Sequence, residues 1–177
     1  MPRVTLIGYR GVGKTSVARQ LADRIGCAWC DADVELERRQ GRSIADIITQ
    51  DGEPAFRDAE ERLLIDLLAD FDGVLATGGG VVLREVNRTL LHEHGRPVVW
   101  LQADADVIRA RLAADPTTVQ RRPGLTTANP LDEVATVLAS REPLYRSLAD
   151  LAVDTAAASV DEVVARLADW LAHGVRT

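Results

Sequence analysis

The opening residues lack an export or membrane signal. Met1-Pro2-Arg3 runs straight into Val4-Thr5-Leu6-Ile7 and a glycine loop, with no basic segment ahead of a long apolar run. Neither a signal peptide nor a transmembrane helix is expected, so the sequence predicts a cytoplasmic protein without a membrane partner. Cysteine is scarce as well. Cys27 and Cys30 form Cys-Ala-Trp-Cys in an expected strand, where residues three apart face opposite sides and cannot easily close a local disulfide. No second Cys pair is present, and the histidines are only His92, His94 and His173. A four-ligand zinc site is therefore not expected, and the two thiols read as buried structural residues. A basic surplus is missing too: 21 Lys and Arg against 27 Asp and Glu give a formal charge of -6. That disfavours nucleic acid or an anionic membrane surface as partner, but not a local basic pocket for a small anion.

Repeats and low-complexity linkers are also absent, so residues 1–177 read as a single domain, with a monomer as the default. A chain of this length buries roughly 70% of its unfolded surface, enough for a real core. Its hydrophobic content of 46% and charged content of 27% are those of an ordinary globular protein. Short β runs alternate with helical stretches, which predicts an α/β fold with a parallel sheet covered by helices. The expected strands are Val4–Ile7, Ala28–Cys30, Val74–Thr77, Val98–Leu101 and Leu151–Val153. Val17, Leu21 and Ile25 mark one helix face, and Leu63, Leu64, Leu67 and Leu68 another. Pro54 suits the first turn of the latter helix, and Ser159-Val160-Asp161-Glu162 reads as a capping box. Residues 115–130, rich in Pro, Thr, Gly and Arg, lack periodicity. A loop of that length in a compact domain is usually functional, and Arg121 and Arg122 make it a candidate active-site lid spanning about 114–130.

Gly8-Tyr9-Arg10-Gly11-Val12-Gly13-Lys14-Thr15 satisfies G-x-x-x-x-G-K-[ST] between an expected strand and an expected helix. Glycines let successive backbone N–H groups turn inward around phosphate oxygens. The helix N-terminus behind them adds unpaired donors and a positive dipole end. Lys14 then reaches the β- and γ-phosphates of a nucleotide, and the Thr15 hydroxyl is a Mg²⁺ ligand. Such a loop serves GTPases, motors, kinases and regulatory ATPases alike. The guanine signature Asn-Lys-x-Asp does not occur.

The remaining candidates point to a second, anionic and hydroxylated ligand, each with a plainer alternative. Asp31 and Asp33 follow the second strand. Strand geometry places them on one side, roughly 7 Å apart, at the strand end where parallel sheets bind ligands. The alternative is that Asp33 caps a helix over Val34–Gln40. Arg57 either pairs on the surface with Glu60 or Glu61 or is steadied by a carboxylate so that it grips an acceptor carboxylate. Gly78-Gly79-Gly80 is either a tight turn or a place of very close approach. Arg141 is either a second carboxylate clamp or a solvated helix residue.

As an ordered set, these pieces resemble the shikimate kinase family over nearly the whole chain. The segments that carry the resemblance are Gly8–Ser16, Asp31-Ala32-Asp33, Gly41-Arg42-Ser43-Ile44, Gly52-Glu53-Pro54-Ala55-Phe56-Arg57, Gly78-Gly79-Gly80, Arg121-Arg122-Pro123, Arg141-Glu142-Pro143-Leu144-Tyr145 and Val153-Asp154-Thr155. The resemblance implies a five-stranded parallel sheet with helices on both faces, like that of nucleoside monophosphate kinases, and a mobile lid. It implies transfer of the γ-phosphoryl of ATP to the 3-hydroxyl of shikimate, with Mg²⁺ as cofactor. Gly11, Val12, Gly13, Lys14, Thr15 and Ser16 would bind ATP, and the acceptor segment would span about 33–60. Asp33 would orient the acceptor hydroxyls and take the proton; Arg57, steadied by Glu60, and Arg141 would hold the carboxylate; Gly79 would add a backbone contact. Asp31 would stand near the metal, and Arg122, or else Arg121, would reach the phosphates. Three alanines follow Thr155, so adenine is expected to be held mostly by backbone and by Arg109 or Arg111. The alternatives are a kinase for another hydroxy acid such as gluconate, or a nucleotide-binding module without turnover.

Overall fold

A computed structural model describes residues 1–114 and 133–173. Its elements run β1 (Val4–Ile7), α1 (Lys14–Ile25), β2 (Ala28–Asp31), α2 (Ala32–Gln40), α3 (Ile44–Asp51), α4 (Glu53–Asp70) and β3 (Gly73–Ala76). A short 3-10 turn (Val81–Leu83) leads to α5 (Glu85–His94), β4 (Val98–Gln102), α6 (Ala105–Ala114), α7 (Val134–Leu148), β5 (Leu151–Asp154) and α8 (Val160–Ala172). The five strands form one sheet in the order β2-β3-β1-β4-β5, and every neighbouring pair is parallel.

The strands alternate between two cores, as a period of two requires. Leu6, Val74, Ala76, Val99 and Leu101 face one, with Val17 and Leu21 of α1 and Val163 and Leu167 of α8. Ile7, Leu75, Val98 and Trp100 face the other, with Phe56, Leu63, Leu64, Leu67 and Leu68 of α4. Helices on both faces explain why the central strands are apolar throughout. The expected starts and stops hold: Pro54 lies in the first turn of α4, and Ser159 with Glu162 forms the capping box of α8.

Two local readings are corrected. The residue that caps α2 is Asp31, whose Oδ1 accepts from the amides of Asp33 (3.0 Å) and Val34 (3.3 Å). The helix thus begins at Ala32, and Asp33 belongs to its first turn, so the strand spacing expected for the two carboxylates does not apply. Cys27 and Cys30 are free, as expected, but half-buried rather than buried, because β2 is an edge strand with Trp29 exposed. Burial, followed by Glu35 and Asp31, still pushes the Cys30 thiol up to about 11, so it stays protonated at neutral pH.

Candidate active site

β1 stands at the centre of the sheet, and the chain leaves its carboxyl end into the phosphate loop. Gly13 has φ 92° and begins α1 with no side-chain cap, so the first amides of the helix stay available to an anion. Val12 is fully buried and anchors the loop in the core, while Thr15 and Ser16 are exposed at the head of α1. Lys14 Nζ donates to the carbonyls of Gly8 (2.8 Å) and Tyr9 (2.9 Å), which holds the ammonium across the mouth of its own loop. Thr15 Oγ1 donates to Asp31 Oδ2 at 2.5 Å. Two hard oxygens are thereby joined beside the phosphate loop, a donor set that suits Mg²⁺, which keeps most of its waters and takes few protein ligands.

Gly78, Gly79 and Gly80 follow β3, and all three are buried. A methyl on Gly78 would stand 2.6 Å from Asp33 Oδ1 and 2.9 Å from Glu60 Oε1. One on Gly79 would stand 3.2 Å from the Arg10 amide nitrogen and 3.4 Å from the Gly8 carbonyl, and one on Gly80 would land on the Arg57 guanidinium. The triplet is therefore more than a turn. It is the bare surface against which the phosphate loop, Asp33 and Arg57 all pack.

Arg57 exposes only 7% of its surface. Its Nη1 donates to Glu60 Oε2 (2.8 Å) and its Nη2 to Glu53 Oε1 (3.0 Å), residues one helical turn away on the same face. Burial by itself lowers a guanidinium pKa, but Glu60 and then Glu53 outweigh it, and the net shift is upward. Glu60 is the partner the sequence pointed to. Glu61 is not, since it pairs with Arg84, and Glu53 was not foreseen.

Arg141, on α7, exposes 8%, which overturns the reading of a solvated helix residue. Its Nη1 donates to the Gly79 carbonyl (3.2 Å), and its guanidinium lies 5.8 Å from the Tyr9 ring centroid. Among the described residues no carboxylate lies within ion-pair distance of Arg141. Tyr145, one turn further along α7, donates to the same Gly79 carbonyl at 2.5 Å and stacks on Trp100 with centroids 6.0 Å apart. Burial pushes the Tyr145 hydroxyl up to about 12, which keeps it a donor at neutral pH. Its sequence signal was the i, i+4 spacing from Arg141, which puts both on one helix face.

Of the expected adenine contacts, Arg109 pairs with Asp106 on the surface. Arg111 donates to the Thr155 carbonyl (2.5 Å) and hydroxyl (3.1 Å) and to the Gly11 carbonyl (3.4 Å), tying the phosphate loop to the segment after β5. The expected lid, with Arg121 and Arg122, lies outside the described residues apart from its first residue, Ala114.

A phosphate loop on the central strand, faced by an acidic residue and two buried guanidiniums, defines a phosphotransferase of the P-loop class that carries its own acceptor site. The model of the shikimate kinase family matches residues 10–172. The chain is 45% identical to the shikimate kinase of Rhodopirellula baltica, covering 90% of this chain and 84% of the relative. It is 43% identical to that of Pseudomonas fluorescens, covering 98% of both. Among solved structures, shikimate kinase from Acinetobacter baumannii in complex with shikimate is similar at a TM-score of 0.85 and 34% identity, over 93% of this chain and 89% of that one. A gluconokinase from Sinorhizobium meliloti shares the fold at a TM-score of 0.54 and 20% identity, over 96% of this chain and 91% of that one. The chain belongs to the shikimate kinase family, and it is an ATP-dependent kinase, as the resemblance implied.

Proposed function

We propose that this chain transfers the γ-phosphoryl group of ATP to the 3-hydroxyl of shikimate, giving shikimate 3-phosphate and ADP, as a cytoplasmic monomer of one domain. The observation that carries the reading is Arg141: a buried guanidinium with no carboxylate at ion-pair distance among the described residues, bonded to a glycine whose other side backs the phosphate loop. A buried cation of that kind is costly unless an anion completes it. Arg57, already aligned by Glu60 and Glu53, offers the second grip on the acceptor's carboxylate.

With the carboxylate held there, an acceptor hydroxyl reaches Asp33, which orients it and accepts its proton as the oxygen attacks the γ-phosphorus. The bond between the γ-phosphorus and the β–γ bridging oxygen breaks, and ADP leaves. Lys14 and the amides of Gly11, Val12, Gly13, Thr15 and Ser16 compensate the phosphate charge, and Gly79 adds a backbone contact to the acceptor. Thr15 and Asp31 would hold Mg²⁺, which would supply charge compensation for the nucleotide's phosphates. Arg122, which lies outside the described residues, would supply a further cation to the phosphates.

A coupled ADP-release assay across hydroxy acids tests this. Shikimate with MgATP should yield ADP stoichiometrically and gluconate should not. Equal turnover of gluconate overturns the substrate, and release with no acceptor overturns the reaction. Asp33→Asn should cut turnover by about 100-fold or more while ATP binding, followed by calorimetry, persists; near-wild-type turnover would remove Asp33 from the chemistry.

A further inference from the structure

The phosphate loop carries a cation that the reaction above leaves without a task. Arg10 lies between Tyr9 and Gly11 and is half-buried. Among the described residues no carboxylate lies within ion-pair distance of it. Its guanidinium carbon is 5.8 Å from the centroid of the Tyr9 ring, and that of Arg141 is the same distance from the same ring. The two guanidiniums are therefore at most twice that distance apart. Tyr9 exposes only 4% of its surface, so the ring is a fixed platform. From the backbone side, the Arg10 amide nitrogen stands 3.2 Å from where a Gly79 side chain would begin, so Arg10 adjoins the glycine that Arg141 grips.

An aromatic face offsets part of the cost of holding a cation, but it leaves the charge itself uncompensated. Two such charges over one ring repel each other, and an anion between them turns that repulsion into attraction. Arg57 is different, because Glu53 and Glu60 already balance it. Of these three guanidiniums, Arg141 and Arg10 are thus the two without a carboxylate partner among the described residues.

We infer that Arg10 is a third guanidinium of the acceptor site, drawing the acceptor's carboxylate toward Arg141 from the phosphate-loop side, with the Tyr9 ring as their shared support. It favours anionic acceptors over neutral ones. Because Arg10 is half-exposed, its pull acts partly through solvent and weakens as salt rises.

The inference rests on the reading of the crevice as a shikimate site, and the test separates the two. Steady-state kinetics with shikimate are measured for the wild type, Arg10→Gln, Arg10→Lys and Tyr9→Leu at low and high salt. Arg10→Gln should raise KM for shikimate about fivefold at low salt, the scale of one partly exposed ion pair, and the gap should narrow at high salt. Arg10→Lys should restore most of the loss, because it keeps the charge. Tyr9→Leu should shift KM for shikimate in the same direction as Arg10→Gln, while KM for ATP moves much less in all three. An unchanged KM in Arg10→Gln overturns the role of Arg10, as does an Arg10→Lys variant as impaired as Arg10→Gln. If the wild type itself fails to turn over shikimate, the substrate reading falls and this inference with it.

Discussion

Arg57 meets the glycine triplet at Gly80 and Arg141 meets it at Gly79; both are buried, yet they are held in opposite ways. Arg57 is enclosed by two carboxylates of its own helix, so its charge is balanced before any ligand arrives. Among the described residues, Arg141 meets a backbone carbonyl, an aromatic ring and the Tyr145 hydroxyl, and no carboxylate lies within ion-pair distance. The first arrangement fixes geometry, since a guanidinium whose Nε, Nη1 and Nη2 all donate to carboxylates is held in one orientation. The second stores attraction, since a desolvated cation gains most from an incoming anion. On the proposed function, Arg57 would orient the ligand and Arg141 would draw it in.

The sharpest way to break that contrast is to remove each arginine in turn. Arg57→Met strands the buried carboxyl of Glu60 without its guanidinium, so unfolding free energy should fall by about 3–5 kcal/mol. Urea titration checks this, and adding Glu60→Gln should recover part of the loss. Arg141→Met removes an uncompensated buried charge and strands nothing. Its urea midpoint should stay near that of the wild type, while KM for shikimate rises on the order of 100-fold, as for loss of a desolvated charge contact. If Arg141→Met proved the less stable of the two, the contrast would be wrong. Gly80→Ala sharpens it at a smaller scale. The new methyl falls on the Arg57 guanidinium, and shifting that group should raise KM for shikimate by about tenfold, with KM for ATP little affected. An equal rise for both substrates would show that the triplet supports the loop rather than the acceptor side.

The same contrast explains what was legible in the sequence. The phosphate loop is eight consecutive residues whose chemistry is mostly backbone, so its signature survives in one dimension. The alternation of apolar strands and amphipathic helices made the sheet equally readable, because both periodicities are local. The proposed acceptor site draws on residues 33, 57, 79 and 141, which only the fold brings together. Resemblance to a family named those positions, but propensity alone ranked Arg141 as solvated, since nothing near it in sequence reports that α7 turns it toward Gly79. The cap of α2 failed for another reason: Asp31 and Asp33 are both good caps, and the choice depended on where β2 ends. Tyr9 and Arg10 were visible only as letters within the phosphate loop, whereas Tyr145 had the i, i+4 spacing from Arg141 as its signal.

The central claim is that one crevice seats a carboxylate between Arg57 and Arg141 while a hydroxyl of the same molecule faces Asp33 and the phosphate loop. A crystal structure of the protein soaked with shikimate tests it most directly. The account predicts carboxylate oxygens within hydrogen-bonding distance of both guanidiniums and a ring hydroxyl on the Asp33 carboxylate. A shikimate molecule with its carboxylate on Lys14, or turned to solvent, would contradict it.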